Sequence, residues 1–396
     1  MKRIVLGTDS WYPLVDGGTN VVKQYHIELS KNNIAAIIAP SAGKKKDIEG
    51  ESKYYGRGVF HNRALKVPFL PFRNSAPGQD PKLKKFLNYF KPDILHAHSP
   101  FAILNFFNKY GKKHNIPVVF TFHSKFKDDI YRYTKSKFIT WMIMTNIMGN
   151  IKKADYVWAV SKHAANVLHG YGYKGEIRVV YNSTDMKKVS IKQHEKFKKQ
   201  VNRWHDLSPD EVVFIYAGRI VKNKNIKFSI DVINELKKRN FKCKFLVLGD
   251  GDDAKYFKEY VENLNLENEV IFTGRILDRK KISAYLSRAD LLLMPSRYDM
   301  HSLVVLEAAA CSTPTMAASN TSYDEVIKHK KTGYIRDLIV EDWADCIQTI
   351  FKTKNINKVK KNCSSIMSNW KENINNVSKL YDEIIKDYKE KKKYNI

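Results

Sequence analysis

The sequence predicts an α/β protein of two doubly wound, Rossmann-like domains. Short apolar runs alternate with amphipathic helical patterns along almost the whole chain, the signature of βαβ units and parallel sheet. The rhythm breaks once, in a Lys-rich stretch at residues 186–210, and then restarts. A length of 396 residues suits two or three domains of roughly 100–200 residues each.

Residues 3–8 read as the first strand. Residues 9–18, with Pro13, Gly17 and Gly18, read as a loop, and Thr19 and Asn20 as caps of a helix whose apolar face is Val21, Val22, Tyr25, Ile27 and Leu29. Further strands are expected at 34–39, 94–98, 117–122, 154–160 and 177–180, and in the second half at 212–217, 245–248, 270–273 and 291–294. Trp370, Ile374, Val377, Leu380 and Ile384 recur at three- to four-residue spacing and predict a closing helix over 369–392, with the run 389–393 as a frayed end. The expected division is 1–190, 191–368 and a helix over 369–396 that returns to the N-terminal domain. Open parallel sheets bind ligands beyond the carboxyl ends of their strands, so the active site is expected in a cleft faced by both domains.

Composition narrows the function. Hydrophobic residues make up 43%, which excludes a disordered chain. No run of ~18 apolar residues exists to span a bilayer, and Asp9 comes too early for a signal peptide. Cys243, Cys311, Cys346 and Cys363 are scattered without CxxC or His partners, which argues against a disulfide scaffold or zinc site and for a reducing cytosol. The net charge of +28 is uneven: residues 1–200 hold 35 Lys/Arg and 14 Asp/Glu, the remainder 34 and 27. Such a field attracts nucleic acid, an anionic membrane or a phosphorylated ligand. A Lys-rich genome would explain the total but not the asymmetry.

The most informative stretch is 295–310, where an apolar strand is followed by a loop and an apolar helix. Asp299 in the loop offers a hydrogen-bond acceptor for sugar hydroxyls, and Glu307 in the helix can grip a vicinal diol with both oxygens. Between them the free backbone N–H groups of Ser302, Leu303 and Val304 form an anion site. A second constellation ends the strand at 212–217: Gly218 permits close approach, Arg219 can fork onto a diphosphate, and Lys224 adds a point charge. A solvated strand–loop–helix unit would also satisfy the first stretch taken alone, and a two-carboxylate hydrolase would use Asp299 and Glu307 but leave Arg219 and Lys224 unexplained.

Together these residues resemble glycosyltransferase family 4, the retaining nucleotide-sugar enzymes of GT-B fold. The resemblance runs through Gly17-Gly18, His96-Ala97-His98, Asn182-Ser183-Thr184-Asp185, Gly218-Arg219 with Lys224, Gly249-Asp250-Gly251, Phe272-Thr273-Gly274 and the block 295–314. It implies that Glu307 binds the donor ribose and Asp299 the donor sugar. Arg219 and Lys224 would hold the diphosphate, His98 would sit near the reacting sugar, and Gly17 and Gly18 would cover the phosphates. Gly249, Gly274 and Arg275 complete the implied donor site. The implied chemistry uses no metal, no other cofactor and no protein nucleophile. The leaving diphosphate deprotonates the acceptor on the same face, and preorganised positive charge stabilises the breaking bond, each contact being worth ~3–4 kcal/mol. Asp299 stands where the family usually has Glu, and Ser302 and Ser312 where Gly is common.

The acceptor is expected on the basic N-terminal half. Residues 121–138 interleave His123, Lys125, Lys127, Arg132, Lys135 and Lys137 with aromatics, and Trp141 opens the apolar stretch after them. A basic segment beside an apolar one reads as an interfacial element, each cation contributing about 1 kcal/mol at an anionic surface. Core packing of the apolar half is the other reading. The segment also resembles the diacylglycerol glucosyltransferases of the family. RNA would suit the basic–aromatic pattern, but no RNA-binding motif accompanies it, so no nucleic acid is expected. Asp128 and Asp129 cap or balance charge, Gly249-Asp250-Gly251 is a turn facing the nucleotide, and Cys311 belongs to the core. The expected protein is a retaining hexosyltransferase at the cytosolic face of the membrane, with UDP-glucose as candidate donor and a lipid such as diacylglycerol as acceptor. Capsule or lipopolysaccharide synthesis is the alternative, and a non-catalytic sugar-nucleotide or polyanion binder the second.

Overall fold

The computed structural model describes residues 1–11, 17–41, 58–66 and 73–394. The chain divides into two compact units, residues 1–182 with 369–396, and residues 183–368.

The first unit opens with β1 (Arg3–Gly7), α1 (Gly17–Leu29), β2 (Ile34–Pro40) and β3 (Val59–Asn62). A small antiparallel pair, β4 (Ala64–Lys66) and β5 (Arg73–Ser75), precedes α2 (Pro81–Phe90). Then follow β6 (Ile94–Ala97), α3 (Ala102–His114), β7 (Val118–Phe122), α4 (Phe126–Thr134), α5 (Lys137–Ile151), β8 (Tyr156–Ala159), α6 (Lys162–Gly170) and β9 (Arg178–Val179). The sheet is parallel throughout, in the order β3-β2-β1-β6-β7-β8-β9. Its strands are apolar along their length, as burial on both faces demands; Ile4, Val5, Leu6, Ile94 and Leu95 are fully buried.

The second unit holds α7 (Ile191–His205), β10 (Val212–Ala217), α8 (Ile226–Lys238), β11 (Cys243–Leu248), α9 (Ala254–Asn263), β12 (Val270–Gly274), α10 (Arg279–Arg288) and β13 (Leu291–Met294). It closes with α11 (Leu303–Ala310), β14 (Thr315–Ala318), β15 (Tyr334–Arg336), α12 (Val340–Lys352) and α13 (Asn355–Cys363). Its parallel sheet runs β12-β11-β10-β13-β14-β15. The strand order reverses at β1/β6 in one unit and at β10/β13 in the other, and those switch points open the crevices in which such sheets take ligands.

The last helix, α14 (Trp370–Lys393), belongs to the first unit. Asn369 caps it through the Glu372 N–H, and Trp370, Ile374, Val377, Tyr381, Ile384 and Tyr388 are its buried face. Tyr381 stacks on Trp158 with 5.7 Å between ring centroids, and its hydroxyl shares a 2.6 Å hydrogen bond with His96 Nδ1. Lys2 reaches Asp382 at 2.7 Å, and Tyr156 hydrogen-bonds Asp387.

Several expectations need correction. The first helix starts at Gly17, so Thr19 is buried within it rather than at its cap position, while Ile27 is on its exposed side. Residues 12–16 of the expected loop lie outside the described residues. The supposed Lys-rich linker contains α7: Ser190 caps it, and Phe197 and Val201, one turn apart, bury an apolar stripe among the lysines. The unit boundary falls at 182/183, not 190/191, because Thr184 N–H bonds Ser368 O, Val189 N–H bonds Ala310 O, and Met186 packs in the second core. The expected frayed end is the last turn of α14, where Lys391 pairs with Asp387 at 2.8 Å.

Tyr381→Ala should cost the first unit about 3–5 kcal/mol, because it leaves a cavity under Trp158 and strips His96 of a partner. Urea unfolding followed by tryptophan fluorescence checks this.

Candidate active site

In the second unit three glycines end three adjacent strands. Gly218 N–H donates to Leu248 O and Gly249 N–H to Gly274 O, so the strand ends lie edge to edge. Gly249 has φ +143°, and a Cβ on it would come within 1.8 Å of the Gly218 carbonyl oxygen. Only glycine fits there, and the rim of the sheet is left as bare backbone. Beyond it Arg219 is exposed, as is Arg275 after β12. Tyr216 donates its hydroxyl to Arg219 O at 3.0 Å, which pins the turn.

Lys224 sits in a single helical turn after that strand. Its Nζ lies 2.5 Å from Asp299 Oδ1 and 5.1 Å from the centre of the Tyr298 ring. Asp299 is also bound by the Tyr323 hydroxyl, which donates to Oδ2 at 2.9 Å, while Ser322 Oγ donates to its backbone carbonyl. Burial opposes ionisation of Asp299, but the adjacent Lys224 ammonium and hydrogen bonds from Ser296 and Tyr323 outweigh it and hold the carboxyl below its ordinary value. Three donors thus engage the carboxylate, which leaves one of its about four acceptor positions for a ligand. Lys224, with three N–H donors, likewise keeps capacity beyond Asp299.

Residues Ser302, Leu303 and Val304 open α11, half-buried, and the Ser302 side chain makes no cap. The first N–H groups of the helix therefore face outward from its positive end. Ser302 has φ −78°, ordinary for any residue. Ser312 has φ +58°, the left-handed region, which accounts for glycine being common at that place. Glu307 lies one turn inside α11, in a different cluster from Asp299: its Oε1 is 2.9 Å from Arg279 Nη2, and Arg279 also pairs with Asp185. Burial pushes the Glu307 carboxyl up, and Arg279 opposes the rise. The sequence reading missed Arg279 and gave Asp185 no role; a lone cation at a helix start carries no signal of the acids it will meet.

In the first unit the switch point is lined by Thr8, Asp9, Ser10, His98 and Ser99. Ser99 Oγ accepts the Asp9 N–H at 3.1 Å and lies 3.2 Å from Thr8 Oγ1. The Asp9 carboxylate accepts the Ile103 N–H at 3.1 Å and so anchors the start of α3. Burial pushes Asp9 up to about 7. His98 Nδ1 is 2.9 Å from His123 Nε2, and His98 Nε2 is buried with no hydrogen-bond partner among the described residues. His96 lies beneath, its ring 4.1 Å from that of His98, with Nδ1 bonded to Tyr381 and Nε2 2.7 Å from Thr121 Oγ1. Burial, then mutual repulsion, holds His96 and His98 well below the ordinary imidazole range; burial lowers His123 to about 4. All three rings are neutral near pH 7. His123, expected among the acceptor and membrane contacts, therefore sits against His98. Gly17 and Gly18 form the first residues of α1, with open space around Gly17.

The other cationic candidates lie on α4 and α5 or at the ends of α4. Lys127, Lys135 and Lys137 are exposed, and Lys125 and Arg132 half-buried. Beside them Phe138 and Trp141 are 66% and 63% exposed and stack on each other at 6.1 Å, with Tyr131, Tyr133, Ile139 and Met142 also in solvent. Met144, Ile147, Met148 and Ile151 of the same helix are buried. One part of the apolar stretch is thus core packing, and the other part faces solvent. Asp128 and Asp129 occupy the first turn of α4, where negative charge suits the helix end. Among the described residues no helix is long and apolar enough to cross a membrane.

The chain matches family models described as Glycosyltransferase Family 4 over residues 15–188 and Glycosyl transferases group 1 over residues 197–366. It is 27% identical over 337 residues to alpha-monoglucosyldiacylglycerol synthase of Streptococcus pneumoniae, covering 84% of this chain and 74% of that one. It is 29% identical over 248 residues to N-acetyl-alpha-D-glucosaminyl L-malate synthase of Bacillus anthracis, a match spanning 61% of each. In fold it is similar to an Anabaena protein solved with UDP and glucose (TM-score 0.75, 18% identity, 96% of this chain and 100% of that one). Sucrose-phosphate synthase from Thermosynechococcus elongatus gives a TM-score of 0.77 at 19% identity, over 97% of this chain and 99% of that one.

The Asp9 carboxyl has a folded pKa of about 7 against 3.8 for the free group, so it favours folding below 3.8 and that contribution is lost as pH rises towards 7. Asp9→Asn should remove this slope: relative to the parent, the variant gains stability as pH rises through that window. Urea midpoints across it check the sign.

Proposed function

The chain belongs to the family 4 glycosyltransferases, and on that premise we propose that it moves a hexose, with retention, from a UDP-sugar to the hydroxyl of a membrane lipid such as diacylglycerol. The reading of the donor site is carried by one observation. The cations Arg219 and Lys224 follow β10 and the uncapped start of α11 follows β13, the two strands of the switch point, while the glycine rim extends from β10 over β11 and β12. In this reading the N–H groups of Leu303 and Val304, with Arg219 and Lys224, receive the diphosphate. Glu307 takes the ribose hydroxyls, and Asp299 reaches the sugar through the acceptor position that Lys224, Ser296 and Tyr323 leave it. Gly249, Gly274 and Arg275 border the nucleotide.

The bond between the anomeric carbon and the diphosphate oxygen breaks as the acceptor oxygen attacks from the same face. The acceptor proton passes to the leaving diphosphate, so charge and atoms balance without a protein nucleophile. Negative charge grows on the diphosphate in the transition state, where fixed cations and helix N–H groups stabilise it most. His98, kept neutral, offers Nε2 as a donor or acceptor to the sugar.

The lipid acceptor is supported by the exposed cationic and aromatic face of α4 and α5 and by the likeness to a synthase named for monoglucosyldiacylglycerol. Aromatics at headgroup depth with lysines beside them suit the cytosolic membrane surface. Purified protein should release UDP from UDP-glucose only when liposomes containing diacylglycerol are present. Turnover with a capsule or lipopolysaccharide acceptor alone would overturn the lipid reading, and no turnover of any UDP-sugar would overturn the donor. Neutralising Lys125, Lys127, Arg132, Lys135 and Lys137 together should cut sedimentation with anionic vesicles at least about tenfold and leave UDP affinity unchanged.

A further inference from the structure

Arg279 stands at the first position of α10, after Asp278, which caps that helix through the Lys280 and Lys281 N–H groups. Its Nη2 is the meeting point of two acids from two other segments: Glu307 of α11, with Oε1 2.9 Å away, and Asp185, which precedes α7. That nitrogen carries two hydrogens, one for each carboxylate. The Glu307 side chain is 13% exposed, that of Arg279 42%, so the acid is the inner member and the cation its link to solvent.

A carboxylate withdrawn from water tends to take up a proton. Burial pushes Glu307 in that direction, the Arg279 charge pulls it back, and the Asp185 charge adds to the push. The Cys311 thiol also feels Glu307, and burial holds it neutral by raising it to about 12. Protonation would matter at this position: a carboxylate accepts a hydroxyl hydrogen on each oxygen, whereas the acid turns one oxygen into a donor.

We propose that Arg279 is a positioning residue for the donor nucleotide, holding Glu307 as a carboxylate in the orientation that grips the ribose diol, while Asp185 fixes the guanidinium in place. The proposal rests on the reading of Glu307 as the ribose contact. Arg279 touches the acid and not the sugar, and its effect is therefore a pH-dependent one.

The test is UDP affinity by titration calorimetry from about pH 5.5 to about 8.5, each variant taken as a ratio to the parent so that the titration of the UDP phosphate cancels. Arg279→Met raises the Glu307 pKa; a rise of one unit lowers the carboxylate fraction about tenfold on the acid side. UDP binding should therefore weaken about tenfold at the acid end and far less at the alkaline end, and Arg279→Lys should restore most of the acid-side loss. Asp185→Asn removes the opposing charge and should move the acid limb the other way, which keeps the proposal testable if Arg279→Met does not fold. An Arg279→Met loss equal at every pH, or no shift in either variant, overturns the proposal. Glu307→Gln separates the two readings. Unchanged UDP affinity in that variant removes the ribose contact and this proposal with it; weakened affinity beside a pH-flat Arg279→Met removes the role of Arg279 alone.

Discussion

The ion pair between Lys224 and Asp299 is the constraint on which the second unit's site depends. It joins the turn after β10 to the loop after β13, the two strands that flank the switch point. Both side chains are mostly withdrawn from water, so neither tolerates loss of the other; breaking such a pair typically costs about 3–5 kcal/mol. The Tyr323 and Ser296 hydroxyls share the load on the carboxylate. The result is a fixed cation at the mouth of a parallel sheet.

The two switch points use opposite electrostatics. The second unit pairs its charged groups: Lys224 with Asp299, and Arg279 with Glu307 and Asp185. The first unit keeps its groups neutral by crowding and burial. His96, His98 and His123 lie too close for more than one to charge cheaply, and Asp9 is held near neutrality by its surroundings. Charged donors suit a nucleotide diphosphate; neutral rings and hydroxyls suit an alcohol and a sugar.

The first unit also shows how one helix serves two environments. In α5 the buried Met144, Ile147, Met148 and Ile151 anchor the helix, while Phe138, Ile139, Trp141 and Met142 are left in water beside lysines. Large exposed aromatics are costly unless something covers them. At the other end of the chain α14 completes the unit: Tyr381 supports His96, which lies directly under His98.

Period and spacing alone determined the two parallel-sheet units, the order of most strands along the chain, the closing helix, and the placing of Gly218, Arg219 and Lys224 at one strand end. These are local facts: a strand, its glycine and the next cation are covalently close, and alternation of apolar runs is a property of the backbone's own geometry. Helix α7 was lost to its lysines, because two buried residues, Phe197 and Val201, give too narrow a stripe to stand out. Tertiary structure alone decided the partners. It set Arg279 and Asp185 on Glu307, His123 on His98, and Asp9 on the start of α3, and it divided α5 into a buried and an exposed face. Contacts between segments tens of residues apart depend on how the helices pack on the sheet, and no spacing along the chain encodes that.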